Sequence, residues 1–129
     1  MDQAVEHNRV SGLIMDAALA VHRTLGPGLL ESVYEQCLAI ELTERGTPEV
    51  RQVSLPLHYK GHTLDAALRL DMLVADRVIV EVKSVERFLP IHEAQLLTYL
   101  KLSGRRLGLL INFNVLMLKD GVRRLVNKL

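Results

Sequence analysis

Three charged residues interrupt two apolar stretches of this sequence. Between Leu68 and Lys83 the chain reads LRLDMLVADRVIVEVK, with Asp71 inside the first run and Glu81 and Lys83 inside the second. Charges within strand-like apolar segments are expensive to bury unless they are paired or bind a metal. Two chemistries suit such a set. Asp71, Glu81 and the Val82 backbone carbonyl offer oxygen ligands for a hard divalent cation, magnesium or manganese. Water on that ion would lose a proton more easily, with Lys83 orienting it or stabilising charge that develops at a phosphate. The alternative is an Asp–Lys or Glu–Lys ion pair that only holds the two segments together.

The three side chains meet only in one register. Alternation along a strand puts Ile79, Glu81 and Lys83 on one face and Val78, Val80 and Val82 on the other. On the preceding strand, Leu68, Leu70, Met72 and Val74 form the expected apolar face, with Arg69, Asp71 and Leu73 opposite. A three-residue turn, Ala75 to Arg77, pairs Val74 with Val78 and sets Asp71 across from Glu81. A two-residue turn would put the acids on opposite faces. Carboxylates facing each other across a ladder repel unless positive charge sits between them.

The flanking sequence supplies elements to carry this hairpin. Residues 1–8 are polar and expected to fray. Val10, Leu13, Ile14, Ala17, Ala18, Val21 and Leu25 recur at helical spacing, and Gly26-Pro27-Gly28 stops that helix. A second helix is expected over about residues 29–45, closed by Gly46 and Pro48. Val53, Leu55, Leu57 and Tyr59 then alternate with polar residues, a strand that Pro56 assigns to an edge or a bulge. Lys60-Gly61-His62 turns into the strand bearing Asp71. Pro90 opens a third helix that ends at Ser103-Gly104. Residues 107–113 and 115–118 read as two further strands, and 122–126 as a last short one. The expectation is a single α/β (α+β) domain over residues 1–129. It has two N-terminal helices followed by β-β-β-α-β-β, around a mixed sheet flanked by helices.

Composition narrows the setting. The 129 residues are 49% hydrophobic and 24% charged, an ordinary globular balance, and aromatics are only 4%. A formal charge of +1 means that a polyanion partner would have to be met by locally gathered cations. Arg69, Lys60, Lys101, Arg105 and Arg106 are the candidates, and scarce aromatics argue against extensive base stacking. Cys37 is the one cysteine, which excludes an intramolecular disulfide and fits a reducing cytoplasm. No signal-peptide pattern and no membrane-spanning apolar run are present in the sequence.

The Asp71, Glu81-Val82-Lys83 arrangement resembles the PD-(D/E)XK nuclease superfamily, whose core hairpin carries an Asp followed by Glu-x-Lys. Three further stretches strengthen the likeness. Gly28-Leu29-Leu30-Glu31-Ser32-Val33-Tyr34 resembles the GxxExxY pattern of a bacterial family of small proteins in that superfamily. Pro90 to Leu100 and Asn112-Phe113-Asn114 resemble its second and third blocks. The strand leading to Asp71 departs mildly, reading Ala66-Ala67-Leu68-Arg69 where a glycine and an aromatic are expected. The resemblance implies a restriction-endonuclease-like core, with Asp71 and Glu81 as metal ligands and Lys83 as the catalytic lysine. It makes Glu31 an acid completing the metal shell. Gln95 and Tyr99, four apart on one helix face, resemble the QxxxY element of RecB-like nucleases.

Each assignment has a plainer counterpart. Tyr34, a candidate for positioning substrate beside Tyr99 and Arg69, reads first as a core aromatic. Glu31 suits the first turn of a helix on dipole grounds alone. His22 is a candidate metal ligand, or a satisfied helix-end histidine. Asn112 and Asn114 either close backbone groups at a strand end or touch substrate. The function expected is a magnesium- or manganese-dependent nuclease cutting phosphodiester bonds, of DNA foremost, by a metal-activated water. The alternative is a catalytically silent nucleic-acid- or protein-binding module on the same fold. A homodimer or a protein partner supplying specificity fits either case, and an apolar edge over residues 107–118 would serve a dimer.

Overall fold

The computed structural model describes residues 3–129. Helices α1 (Gln3–Leu25) and α2 (Glu31–Glu44) come first, then strands β1 (Glu49–Tyr59), β2 (His62–Val74) and β3 (Val78–Lys83). Helix α3 (Pro90–Ser103), β4 (Leu107–Asn112), a 3₁₀ turn (Leu118–Gly121) and β5 (Val122–Val126) complete the chain. The strands form one sheet in the order β1-β2-β3-β4-β5. Only β3 and β4 run parallel, because the crossover between them passes through α3. This is the mixed, helix-flanked α+β architecture expected from the sequence.

Each face of the sheet carries its own core. Ile14, Val21, Leu38 and Leu42 of α1 and α2 pack with Met72, Val80, Val82 and Ile111. On the other face Leu96 and Leu100 of α3 meet Leu70, Ile79 and Leu110. Gly108 lets α3 lie close, since a Cβ there would stand 2.9 Å from the Leu96 side chain. Pro56 lies on the edge strand β1 beside a register shift between Leu55 and Leu57, where a missing N–H is tolerated.

Four expectations are corrected. First, α1 begins at Gln3, so residues 3–8 are helical rather than frayed; residues 1 and 2 lie outside the described part. A Glu6–Arg9 ion pair at 3.1 Å and a hydrogen bond from the buried His7 ring to the Gln3 carbonyl at 2.6 Å hold that first stretch. Second, residues 115–118 form no strand. Val115 is pinned by the His22 ring, and Leu116, though apolar, is 91% exposed. Third, β4 lies between β3 and β5 and is buried along its whole length, so it presents no apolar edge. Fourth, Leu68, Leu70, Met72 and Val74 do not share a face.

The fourth correction bears on the site. Leu70 belongs to the α3-side core and Met72 to the other, although they are two residues apart. The β1–β2 ladder pairs Arg51 with Met72 and Val53 with Leu70, but not Gln52 with Asp71. Gln52 sits at φ 52°, the left-handed region, in mid-strand. The chain therefore changes face at Asp71.

Candidate active site

The hairpin has the three-residue turn that the hydrophobic pattern requires. Val74 pairs with Val78, Leu73 with Ile79 and Met72 with Val80. Past that point the ladder opens, and carboxylates replace carbonyls as acceptors. The Asp71 backbone N–H donates to Glu81 Oε2 at 3.0 Å, and the Val82 N–H donates to Asp71 Oδ2 at 2.9 Å. Each acid thus fastens the opposite strand.

The electrostatics are those of a crowded acid pair. Glu81 is only 5% exposed. Burial first, and then the charge of Asp71, push its carboxyl up to about 9. Burial likewise raises Asp71, against the lowering effect of the Val82 N–H. Lys83 lies near enough for its charge to favour ionisation of both acids, yet it makes no ion pair among the described residues. A lysine–carboxylate pair is therefore not what holds the hairpin. Two carboxylates that resist joint ionisation form a donor set suited to a hard cation, and both oxygens belong to the right class.

The third acid does not join them directly. Glu31 Oε1 accepts from the Ser84 N–H at 3.2 Å, just past the end of β3. It lines a cavity of about 300 Å³ together with Asp71 and Val82. Among the described residues, no three His, Cys, Asp or Glu side chains converge closely enough to hold an ion by themselves. A small divalent cation that keeps several waters needs no more than one or two carboxylates, so the residues fit such an ion without Glu31 as a direct ligand.

From the other face α3 brings Gln95 and Tyr99 towards the acids. Gln95 Nε2 donates to the Tyr99 hydroxyl at 3.1 Å. Tyr99 is raised by burial and then by the negative charge of Glu81 and Asp71, which marks its nearness to them. Arg69 is exposed on β2, paired in the ladder with Ser54. Arg105 and Arg106 stand at the other end of β4, where Arg105 pairs with Asp76 at 2.8 Å.

Several motif residues are spent on architecture. Tyr34 is fully buried and stacked on Phe113 at 4.7 Å. Its hydroxyl donates to the Gly26 carbonyl at 2.5 Å and accepts from the Leu29 N–H at 3.1 Å, closing the α1–α2 loop. Gly28, at φ 100°, gives that loop a conformation that side chains disfavour. Ser84 Oγ donates to the Leu29 carbonyl at 2.5 Å, joining the loop to the exit of β3. Asn112 Nδ2 donates to the Val85 carbonyl at 2.9 Å, and its Oδ1 accepts from the Val85 and Asn114 N–H groups, both at 3.1 Å. His22 hydrogen-bonds the Val115 carbonyl through Nε2 at 2.8 Å, which occupies that nitrogen. These residues fix the strand exits beside Lys83.

Sequence reasoning passed over a second polar cluster. Glu35, 6% exposed on α2, accepts from Arg51 Nε at 2.9 Å and Nη2 at 2.7 Å, and from Gln52 Nε2 at 2.8 and 3.0 Å. It borders the Asp71 cavity, and its charge helps raise Asp71. The available signal was its position four residues after Glu31, one turn along the same helix face.

A mixed sheet whose antiparallel hairpin carries an acid pair followed by lysine, with helices on both faces, defines a restriction-endonuclease-like protein. A family model described as the PD-(D/E)XK nuclease superfamily matches residues 8–125, and the chain belongs to that superfamily. No curated protein and no solved structure matches significantly. No helix among the described residues is long and apolar enough to cross a membrane.

Proposed function

We propose that this protein is a magnesium- or manganese-dependent nuclease that hydrolyses phosphodiester bonds at Asp71, Glu81 and Lys83. The observation that carries the reading is the acid pair itself. A buried Glu81 and a half-buried Asp71 sit where the ladder opens, each already oriented by a backbone N–H. Burial and the charge of Asp71 push the Glu81 carboxyl up to about 9, so that its ionisation calls for further positive charge. A divalent cation bound by Asp71, Glu81 and the Val82 carbonyl would supply that charge and polarise the phosphodiester and its attacking water. Lys83, in no ion pair among the described residues, is available to stabilise charge on the phosphate. Glu31 would act from the cavity wall through water, and Gln95 and Tyr99 would orient substrate from α3.

DNA is the substrate we expect first, in a reducing cytoplasm, and the motif stretches favour a GxxExxY-type, RecB-like placement within the superfamily. Selection of substrate by a second copy or a protein partner is compatible with this reading. A silent binding module is the competing account, and the engagement of Glu31 by Ser84 is what favours it.

The test is incubation with single- and double-stranded DNA and RNA in manganese, magnesium or chelator. Cleavage that requires metal and is lost in Asp71→Asn supports the nuclease. Metal-independent binding without cleavage supports the silent module.

A further inference from the structure

The cavity beside Asp71 contains a cation that the proposed chemistry has not used. Arg51 is gripped along one edge of its guanidinium, since Nε and Nη2 both donate to Glu35 Oε2. Nη1 has no hydrogen-bond partner among the described residues, and the side chain remains 36% exposed. Glu35 is engaged at both oxygens in turn, because Gln52 Nε2 reaches each of them. A buried carboxylate thus holds a forked cation in one orientation with a free donor edge.

The backbone is bent to achieve this. Consecutive strand side chains point to opposite faces, yet Arg51 and Gln52 both bond to Glu35. The left-handed Gln52 makes that possible, at the level where the ladder skips Asp71. Strained backbone of this kind concentrates at functional positions. An ion pair serving only to tie α2 to β1 could be replaced by apolar packing and would require no such turn. The surroundings are otherwise hostile to an anion: Glu31, Glu35 and Asp71 all line the cavity, and Arg51 is the cation among its lining residues.

We propose that Arg51 receives a substrate phosphate on the α2 side of Asp71, and that Glu35 and Gln52 are the positioning residues that aim it. The ligand class is a phosphodiester of a nucleic-acid strand laid across the cavity mouth. This rests on the nuclease reading and adds to it a binding group on the face opposite Tyr99.

The experiment compares wild type, Arg51→Ala and Arg51→Lys in manganese-dependent cleavage of a labelled oligonucleotide, with Mn²⁺ affinity read in parallel by calorimetry. Arg51→Ala should raise KM roughly tenfold or more, as expected for a lost charged hydrogen bond, and leave Mn²⁺ affinity within about twofold. Added guanidinium should restore part of the loss, which a purely structural role would not predict. Arg51→Lys should fall between. If Arg51→Ala does not fold, the paired change Glu35→Met with Arg51→Met keeps an apolar bridge, and the same rise in KM is expected. A folded variant with wild-type KM overturns the inference. Wild type that cleaves nothing overturns the nuclease reading instead.

Discussion

Asp71 and Glu81 are tied through each other's strands: the backbone N–H of Asp71 donates to the Glu81 carboxylate, while the Asp71 carboxylate accepts from Val82. The acids therefore perform a structural task, and under the proposed function they would perform a chemical one with different lone pairs. Substitutions that preserve the acceptor should separate the two.

Asp71→Asn retains an oxygen for the Val82 N–H and removes a charge that raises Glu81. Its stability should stay within about 1 kcal/mol of wild type or exceed it. Asp71→Ala leaves a buried N–H without a partner and should lose about 1–3 kcal/mol. Both should weaken Mn²⁺ binding at least tenfold. Urea denaturation and calorimetry on the two variants check this directly; equal stability would show that the Val82 bond contributes nothing.

Glu81 predicts an unusual pH response without metal. The unfolded chain releases this proton near 4.5, whereas the folded protein keeps it until about 9. Across that window the folded state binds more protons, so the contribution of Glu81 to stability is full below about 4.5 and is lost as pH rises towards 9. Glu81 alone contributes no more than about 1.4 kcal/mol per pH unit to that slope. Glu81→Gln should flatten it, and saturating Mn²⁺ should oppose it, since the cation favours the ionised pair. Denaturation midpoints at several pH values, with chelator or manganese, decide the matter.

Tyr34→Phe keeps the stack on Phe113 and deletes both hydroxyl bonds to the α1–α2 loop. Thermal unfolding should show a loss of about 1–3 kcal/mol. If stability were unchanged while cleavage fell, Tyr34 would be a substrate-positioning residue rather than a loop fastener.

The hairpin was legible because burial makes charges in apolar runs conspicuous, and because period-2 alternation permits a single turn length that puts Asp71 and Glu81 together. The face change at Asp71 was not, since alternation assumes regular strands and nothing in the composition of Gln52 announces a left-handed backbone. Residues 115–118 look like a strand because apolarity is read as burial, whereas Leu116 and Met117 are exposed and His22, far away in sequence, holds Val115. Glu35 and Arg51 look like ordinary surface charges until α2 folds over β1. Pairings across sixteen residues leave no local pattern to find.

The central claim is that Lys83 serves chemistry at a metal held by Asp71 and Glu81. The most direct measurement is the rate of manganese-dependent cleavage of DNA by Lys83→Ala beside wild type, at Mn²⁺ concentrations that saturate both. Lys83 makes no ion pair among the described residues, so the variant should fold and bind Mn²⁺ normally while cleavage falls by about 100-fold or more. Metal-dependent cleavage at the wild-type rate in Lys83→Ala would contradict the account.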